Sequence, residues 1–152
     1  MAQTVTVPAV RAHKRADDPL VMITAYDAPG ARIVDDAGVD IILVGDTLAM
    51  VVLGHEDTLQ VTVDDMAHHV AAVARARPRA LVVGDMPWLS YHVSVADTVT
   101  NAAALIRAGA AAVKLEGGRK RVDMIRSIID AESMATGATR VHASSRQIRA
   151  CR

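Results

Sequence analysis

Three runs of aliphatic and β-branched residues, at 40–44, 80–83 and 110–115, each end beside a carboxylate, namely Asp46, Asp85 and Glu116. Such runs, without polar alternation, are how strands buried on both faces read. A fourth run at 20–26 precedes them and is read as the first buried strand. Between the runs the apolar period lengthens to that of a helix. One helix is predicted over 28–37, capped by Asp27 with Pro29 in its first turn and ended by Gly38. A second opens at 62–65 and runs through Met66, Val70 and Val73 to stop before Pro78. A third follows Ser94, carries Val95, Val99, Ala102, Ala103 and Ile106, and stops at Gly109. A fourth spans about 121–131, after Gly117 and Gly118. Residues 1–19 read as a leader and a loop, and 46–64 as the longest connection, expected to be a functional loop.

Four strand-helix units with short Gly- or Pro-containing turns predict an α/β fold with a parallel sheet. An open doubly wound sheet and half of a (β/α)8 TIM barrel both fit. No Gly-x-Gly-x-x-Gly follows the first strand and no phosphate loop is present, which removes the commonest reason to prefer a nucleotide-binding sheet. In either architecture ligands bind at the C-terminal edge, where the three acids fall.

Composition narrows the classes of function. The 152 residues are 51% hydrophobic and 22% charged, as in one soluble globular domain. Seventeen basic and seventeen acidic residues balance, so no overall footprint for nucleic acid or an anionic membrane exists. Small molecules, or further copies of the chain in a homo-oligomer, are the expected partners. Apolar runs fall far short of the roughly 20 residues that span a bilayer, and no signal-like segment opens the chain, so a cytoplasmic protein is expected. Residues 133–152 hold four arginines and no acid and show no sustained apolar period, which sets them apart as a basic tail from a folded unit at 1–132. Cys151 has no partner for an internal disulfide.

The chemistry-bearing residues lie on the strand ends. Asp46, Asp85 and Glu116, if their strands are neighbours, bring hard oxygen ligands together in a set that suits Mg²⁺. The ordinary alternative for each acid is a helix cap or a solvated turn. Lys114 and Glu116, two apart, face the same side of one strand. A lysine there needs an anion, either Asp85 or Glu116 in a salt bridge or the carboxylate of a substrate. Thr47 would cap the next segment or hydrogen-bond that substrate. One or both of His68 and His69 are read as helix-surface residues, and His55 keeps a place as a candidate for lining the site.

Several motifs recur together. Ile23-Thr24-Ala25-Tyr26-Asp27, Val44-Gly45-Asp46 with Gly54-His55 and Thr58-Leu59, Asp85-Met86-Pro87 with Ser90-Tyr91, and Val113-Lys114-Leu115-Glu116-Gly117-Gly118 stand in this order. Over about residues 10–132 they resemble the ketopantoate hydroxymethyltransferase family. The resemblance implies a TIM barrel of the phosphoenolpyruvate/pyruvate type. It further implies transfer of a hydroxymethyl group from 5,10-methylenetetrahydrofolate to 3-methyl-2-oxobutanoate (α-ketoisovalerate), on the way to pantothenate. It places Asp46, Asp85 and Glu116 around Mg²⁺, directly or through water, and gives Asp46, Thr47, Asp85 and Lys114 to the keto acid. A divalent ion on a 2-keto acid would polarise its carbonyl and stabilise the enolate formed at C3.

Departures from the family pattern are Thr47 for a usual Ser, Gly84 for Ala and Trp88 for Phe. A whole barrel takes roughly 250 residues, so about four of eight units are expected here. The family's Gly-His-x-Gly-Leu-Thr-Pro segment on strand five and its later glutamate base have no counterpart, so no catalytic base is expected and the chain would be an inactive fragment. Arg140-Val141-His142-Ala143-Ser144 can be encoded so that a shift of one nucleotide reads Gly-Phe-Thr-Pro, which suggests a frameshifted or truncated gene. Two other functions fit. One is a different Mg²⁺-dependent 2-keto acid lyase or mutase on the same barrel. The other is a non-catalytic half-barrel that self-associates through unpaired strand edges.

Overall fold

β2 (Ile41–Val44), β3 (Leu81–Asp85) and β4 (Ala112–Glu116) are the middle of a parallel sheet. β1 (Met22–Thr24) and β5 (His142–Ser144) form its edges. The computed structural model describes residues 4–13, 18–133 and 142–144. Spatial order follows chain order, β1-β2-β3-β4-β5, and every pairing is parallel. A doubly wound sheet reverses direction at a switch point. None occurs among these strands, so the sequential order is that of a partial barrel and decides between the two architectures the sequence left open.

The connections are α2 (Ala28–Asp36), α4 (Val63–Arg75), α5 (Val95–Arg107) and α6 (Val122–Ser133). Their starts follow the expected chemistry. The Asp27 carboxylate accepts the Gly30 N–H at 2.7 Å. Thr62 and Asp65 form a reciprocal capping box, and Ser94 accepts from the Asp97 N–H. One face of the sheet packs on these helices through Ile42, Val44, Val82, Val113 and Leu115, against Met66, Val70, Val73, Leu105 and Ile128. The opposite face, the barrel interior, carries Leu43, Leu81, Val83 and Ala112.

Four expectations change. Residues 1–19 were read as leader and loop, but α1 (Val7–His13) is a helix, and Val5, Val7 and Val10 pack on the interior cluster. The Val5 N–H donates to the Arg79 carbonyl at 2.8 Å, which ties this segment beneath the N-terminal end of β3. The alternation Val5-Thr6-Val7 hid the helical spacing of Val7 and Val10. The long connection is also partly helical, with α3 at Leu48–Val51 burying Leu48 and Ala49. β1 is shorter than the run at 20–26 and not buried: its Ile23 is 43% exposed, as is Val21 just before it at 47%, because β1 pairs only with β2. Finally, His142–Ser144 pair with Lys114, Leu115 and Glu116 as a fifth strand, though nothing in the tail's pattern suggested one. The rest of the reading of 133–152 as a separate tail lies outside the described residues, apart from Ser133, the last residue of α6.

A candidate active site at the C-terminal edge of the sheet

Asp85 closes β3 and is 3% exposed. It is the register partner of Lys114 on β4, so both side chains point into the barrel interior at the C-terminal edge. Lys114 Nζ donates to both Asp85 oxygens, at 2.8 and 2.7 Å, and lies 3.2 Å from Glu116 Oε1. The salt bridge expected as the ordinary explanation of Lys114 is therefore present, and it engages both acids. The ammonium is thus held by hydrogen bonds to Asp85 and by the nearby charge of Glu116.

Asp46 follows the end of β2 in the neighbouring position. Its N–H points at Asp85 Oδ2 at 3.5 Å, and its carboxylate lines the same cavity of about 350 Å³ as Asp85, Lys114 and Glu116. The cavity rim adds Trp88, Tyr91, His92 and Arg121, with Thr58 and Leu59 from the long connection. The Tyr91 hydroxyl accepts the Glu116 N–H at 3.3 Å, which fixes the ring beside the end of β4. The segment after β3 is itself braced: the Met86 N–H donates to the Lys114 carbonyl at 2.9 Å, and Asn101 Nδ2 donates to the Ser90 carbonyl at 2.7 Å. Leu89 in this segment has φ +68°, a conformation a branched residue adopts only when its neighbours impose it.

Burial dominates the electrostatics. Desolvation raises the Asp85 carboxyl to about 6, although Lys114 opposes it by charge and hydrogen bond. Burial also raises Asp46, again against the pull of Lys114 and with a push from Glu116. Lys114 is held above its ordinary value, because the nearby charges of Asp85 and Glu116 outweigh its own burial. His92 is lowered, first by burial and then by the charge of Arg121, and its Nδ1 is buried without a hydrogen-bond partner among the described residues.

Of the predicted site residues, Asp46, Asp85, Lys114 and Glu116 meet on one cavity. Thr47 does not line it. Its hydroxyl is hydrogen-bonded to the Tyr26 hydroxyl at 2.9 Å and makes no cap to α3. His55 is not a lining residue either. His68 is exposed, but His69 is half-buried, and its Nδ1 donates to the Tyr26 carbonyl at 2.7 Å. Tyr91, His92 and Arg121 line the cavity as well. Tyr91 had a signal in the Ser90-Tyr91 motif, whereas Arg121 looked like any basic residue at the start of a helix.

Whether these acids suit Mg²⁺ is a matter of donor chemistry. Among the described residues no three His, Cys, Asp or Glu side chains come together as a ready cage. Asp46 and Asp85 are adjacent hard-oxygen donors, and Mg²⁺ commonly takes one or two carboxylates and completes its shell with water and substrate oxygens. That pair fits the ion. Glu116, 69% exposed in its side chain and held by Lys114, stands further from such a role.

The ketopantoate hydroxymethyltransferase family model matches residues 4–138. The 3-methyl-2-oxobutanoate hydroxymethyltransferase of Ignicoccus hospitalis is 56% identical over 127 residues, covering 84% of this chain and 48% of that protein. The enzyme of the same name from Pyrobaculum calidifontis is 62% identical over 109 residues, covering 72% and 41%. The chain thus spans about half the length of the curated relatives it matches. Among solved structures, a putative phosphonomutase from Burkholderia cenocepacia superposes with a TM-score of 0.74 at 26% identity, over 90% of this chain and 58% of that one. A 2,3-dimethylmalate lyase of the PEP mutase/isocitrate lyase superfamily gives 0.67 at 21%, over 91% and 52%. These likenesses carry the fold, a partial barrel.

Proposed function

The chain belongs to the ketopantoate hydroxymethyltransferase family, and from that premise we propose that its cavity binds 3-methyl-2-oxobutanoate for transfer of a hydroxymethyl group from 5,10-methylenetetrahydrofolate. The observation that supports this most is the juxtaposition of Asp46 and the buried Asp85–Lys114 pair on the floor of one cavity at the C-terminal edge of a parallel sheet. Asp46 and Asp85 would hold Mg²⁺. When bound, the ion supplies Lewis-acid stabilisation of negative charge on the keto acid's oxygens.

The chain's own residues do the rest of the binding. Lys114 keeps Asp85 ionised and fixes its orientation. Met86, fully inside the segment after β3, and the exposed Leu59 give the cavity its apolar contacts for a branched alkyl group. Trp88 and Tyr91 add aromatic surface to the same lining.

Titration calorimetry of this chain with 3-methyl-2-oxobutanoate, with and without Mg²⁺, tests the reading. Saturable, Mg²⁺-dependent binding that Asp46→Asn abolishes is expected. Binding of a straight-chain 2-keto acid as tightly as the branched one would remove the substrate assignment. No Mg²⁺ dependence would remove the metal.

A further inference from the structure

Resting on that reading, we infer that Trp88 is the platform on which an aromatic group of the tetrahydrofolate stacks, while the keto acid occupies the cavity floor. Aromatic side chains are scarce in this chain, with one tryptophan, two tyrosines and no phenylalanine. Trp88 and Tyr91 nevertheless line the same cavity. Tyr91 is buried, and its ring is already flanked. His92 lies against it at 4.3 Å between centroids, and the Arg121 guanidinium carbon stands 5.9 Å from its centroid. Gly117, at φ +112°, lets the arginine reach there, since a Cβ would lie 2.8 Å from Arg121 Cγ. Trp88, by contrast, is 52% exposed, and its indole takes part in no hydrogen bond or ring contact among the described residues. It is the free aromatic face of the cavity.

The ring is held out on a fixed support. Met86, Pro87, Ser90 and Tyr91 are buried, so that within this segment Trp88 and Leu89 stand exposed between anchored neighbours. The Pro87 carbonyl accepts both the N–H and the hydroxyl of Ser90, at 3.2 and 2.6 Å, which closes a four-residue turn around Trp88 and Leu89. Asn101 of α5 fastens the turn through the Ser90 carbonyl. Glycine is the usual residue at the third position of a turn when φ there is positive, yet this one has Leu89 at φ +68°. Leucine has less conformational freedom than glycine, and strain of this kind clusters at ligand sites. The chemistry of the lining then divides the cavity. Asp46, Asp85 and Lys114 make a polar floor, with buried Met86 beside them for a small alkyl group. A five-carbon acid seated there has no flat group to offer the indole, whereas the folate has two, its pterin and its p-aminobenzoyl ring. Flat rings of this kind stack on an open aromatic face.

Trp88 is the chain's only tryptophan, so its emission reports on this residue alone. Titration with tetrahydrofolate, in the presence of Mg²⁺ and 3-methyl-2-oxobutanoate, is expected to quench that emission saturably, with calorimetry giving the same affinity. Trp88→Leu keeps apolar bulk and removes the ring, and should weaken tetrahydrofolate relative to the keto acid by about tenfold. Trp88→Phe should keep most of the affinity, with thermal unfolding unchanged in both variants. Parallel titrations with 6-methyltetrahydropterin and with p-aminobenzoylglutamate identify the ring that stacks, as the one whose affinity falls in Trp88→Leu. Tetrahydrofolate bound equally by wild type and Trp88→Leu, or bound without a change in Trp88 emission, overturns the proposal and leaves the proposed function standing. So does an emission that shifts with protein concentration and not with tetrahydrofolate, which assigns the ring to a contact between copies of the chain. If wild type binds the keto acid but not tetrahydrofolate, the platform falls and the keto-acid assignment stays. If it binds neither, both fall.

Discussion

Lys114 Nζ lies 2.8 and 2.7 Å from the two carboxylate oxygens of Asp85, its register partner across β3 and β4. With side chains 13% and 4% exposed, the pair is out of water, where an ion without its partner is far costlier than at the surface. The two members are not equivalent. Asp85 is more easily protonated than a free carboxyl, because its burial outweighs the help from Lys114, and it stays ionised at neutral pH only with that help.

The asymmetry predicts the outcome of a mutant cycle. Lys114→Met leaves a buried carboxylate and should cost about 3 to 5 kcal/mol at pH 7.5. Asp85→Asn should cost less, since Glu116 remains 3.2 Å from the ammonium. Adding Asp85→Asn to Lys114→Met should recover most of the loss. Urea unfolding of the four proteins measures it, and a double variant no more stable than Lys114→Met would mean that burial of the charge is not what the pair resolves.

A pH dependence follows from the same residue. The Asp85 carboxyl is raised from 3.8 to about 6 by burial. A raised folded value means that its stabilising contribution is full below the unfolded value and is lost as pH rises through the folded one. In metal-free buffer, wild type should therefore lose stability relative to Asp85→Asn between about pH 4 and pH 6, by about 3 kcal/mol in all. Above that window the difference should level off. Asp46 is also raised by burial and adds to the fall in wild type. A difference that instead grows with pH across the window would reverse the sign of the burial effect.

Away from the site, Gly109, just past the end of α5, packs against Ala74 of α4. It has φ +114°, and a Cβ there would stand 2.5 Å from the Ala74 Cβ. Gly109→Ala should destabilise by about 1 to 3 kcal/mol from overpacking, with a further cost from the backbone conformation. Combining it with Ala74→Gly should restore the packing part and not the backbone part. Thermal melts of both variants check this, and a double variant as unstable as Gly109→Ala would place the whole cost in the backbone.

Much of this arrangement was readable from residue types. Strands β2 to β4 stand out as unbroken apolar runs, and the alternation of side chains along a strand puts Lys114 and Glu116 on one face. The pairing of Lys114 with Asp85 was open in the sequence, because register is set by the neighbouring strands and not by either strand alone. α1 escaped because seven residues hold too few turns for a period to show, and its apolar positions find their partners only on the barrel interior. β1 was read as buried because its composition is that of a central strand, while its exposure reflects what stands beside it. Arg121 had no signature, since its place over Tyr91 depends on the turn that Gly117 permits.

The three acids should respond differently to magnesium. Asp46 and Asp85 are adjacent on the cavity floor, whereas the Glu116 side chain is 69% exposed and already held by Lys114. An ion held by the first two stabilises the folded chain by mass action, about 2.7 kcal/mol at a hundredfold excess over Kd. Its binding must also work against protonation of Asp85, so the effect should weaken as pH falls toward 6. Mg²⁺ should therefore raise the melting temperature of wild type at pH 8, and a chelator should abolish the rise. Asp46→Asn and Asp85→Asn should remove it, while Glu116→Gln should retain most of it. Loss of the Mg²⁺ effect in Glu116→Gln, at the level seen in Asp46→Asn, would make Glu116 a direct ligand and require Lys114 to release it when the ion binds.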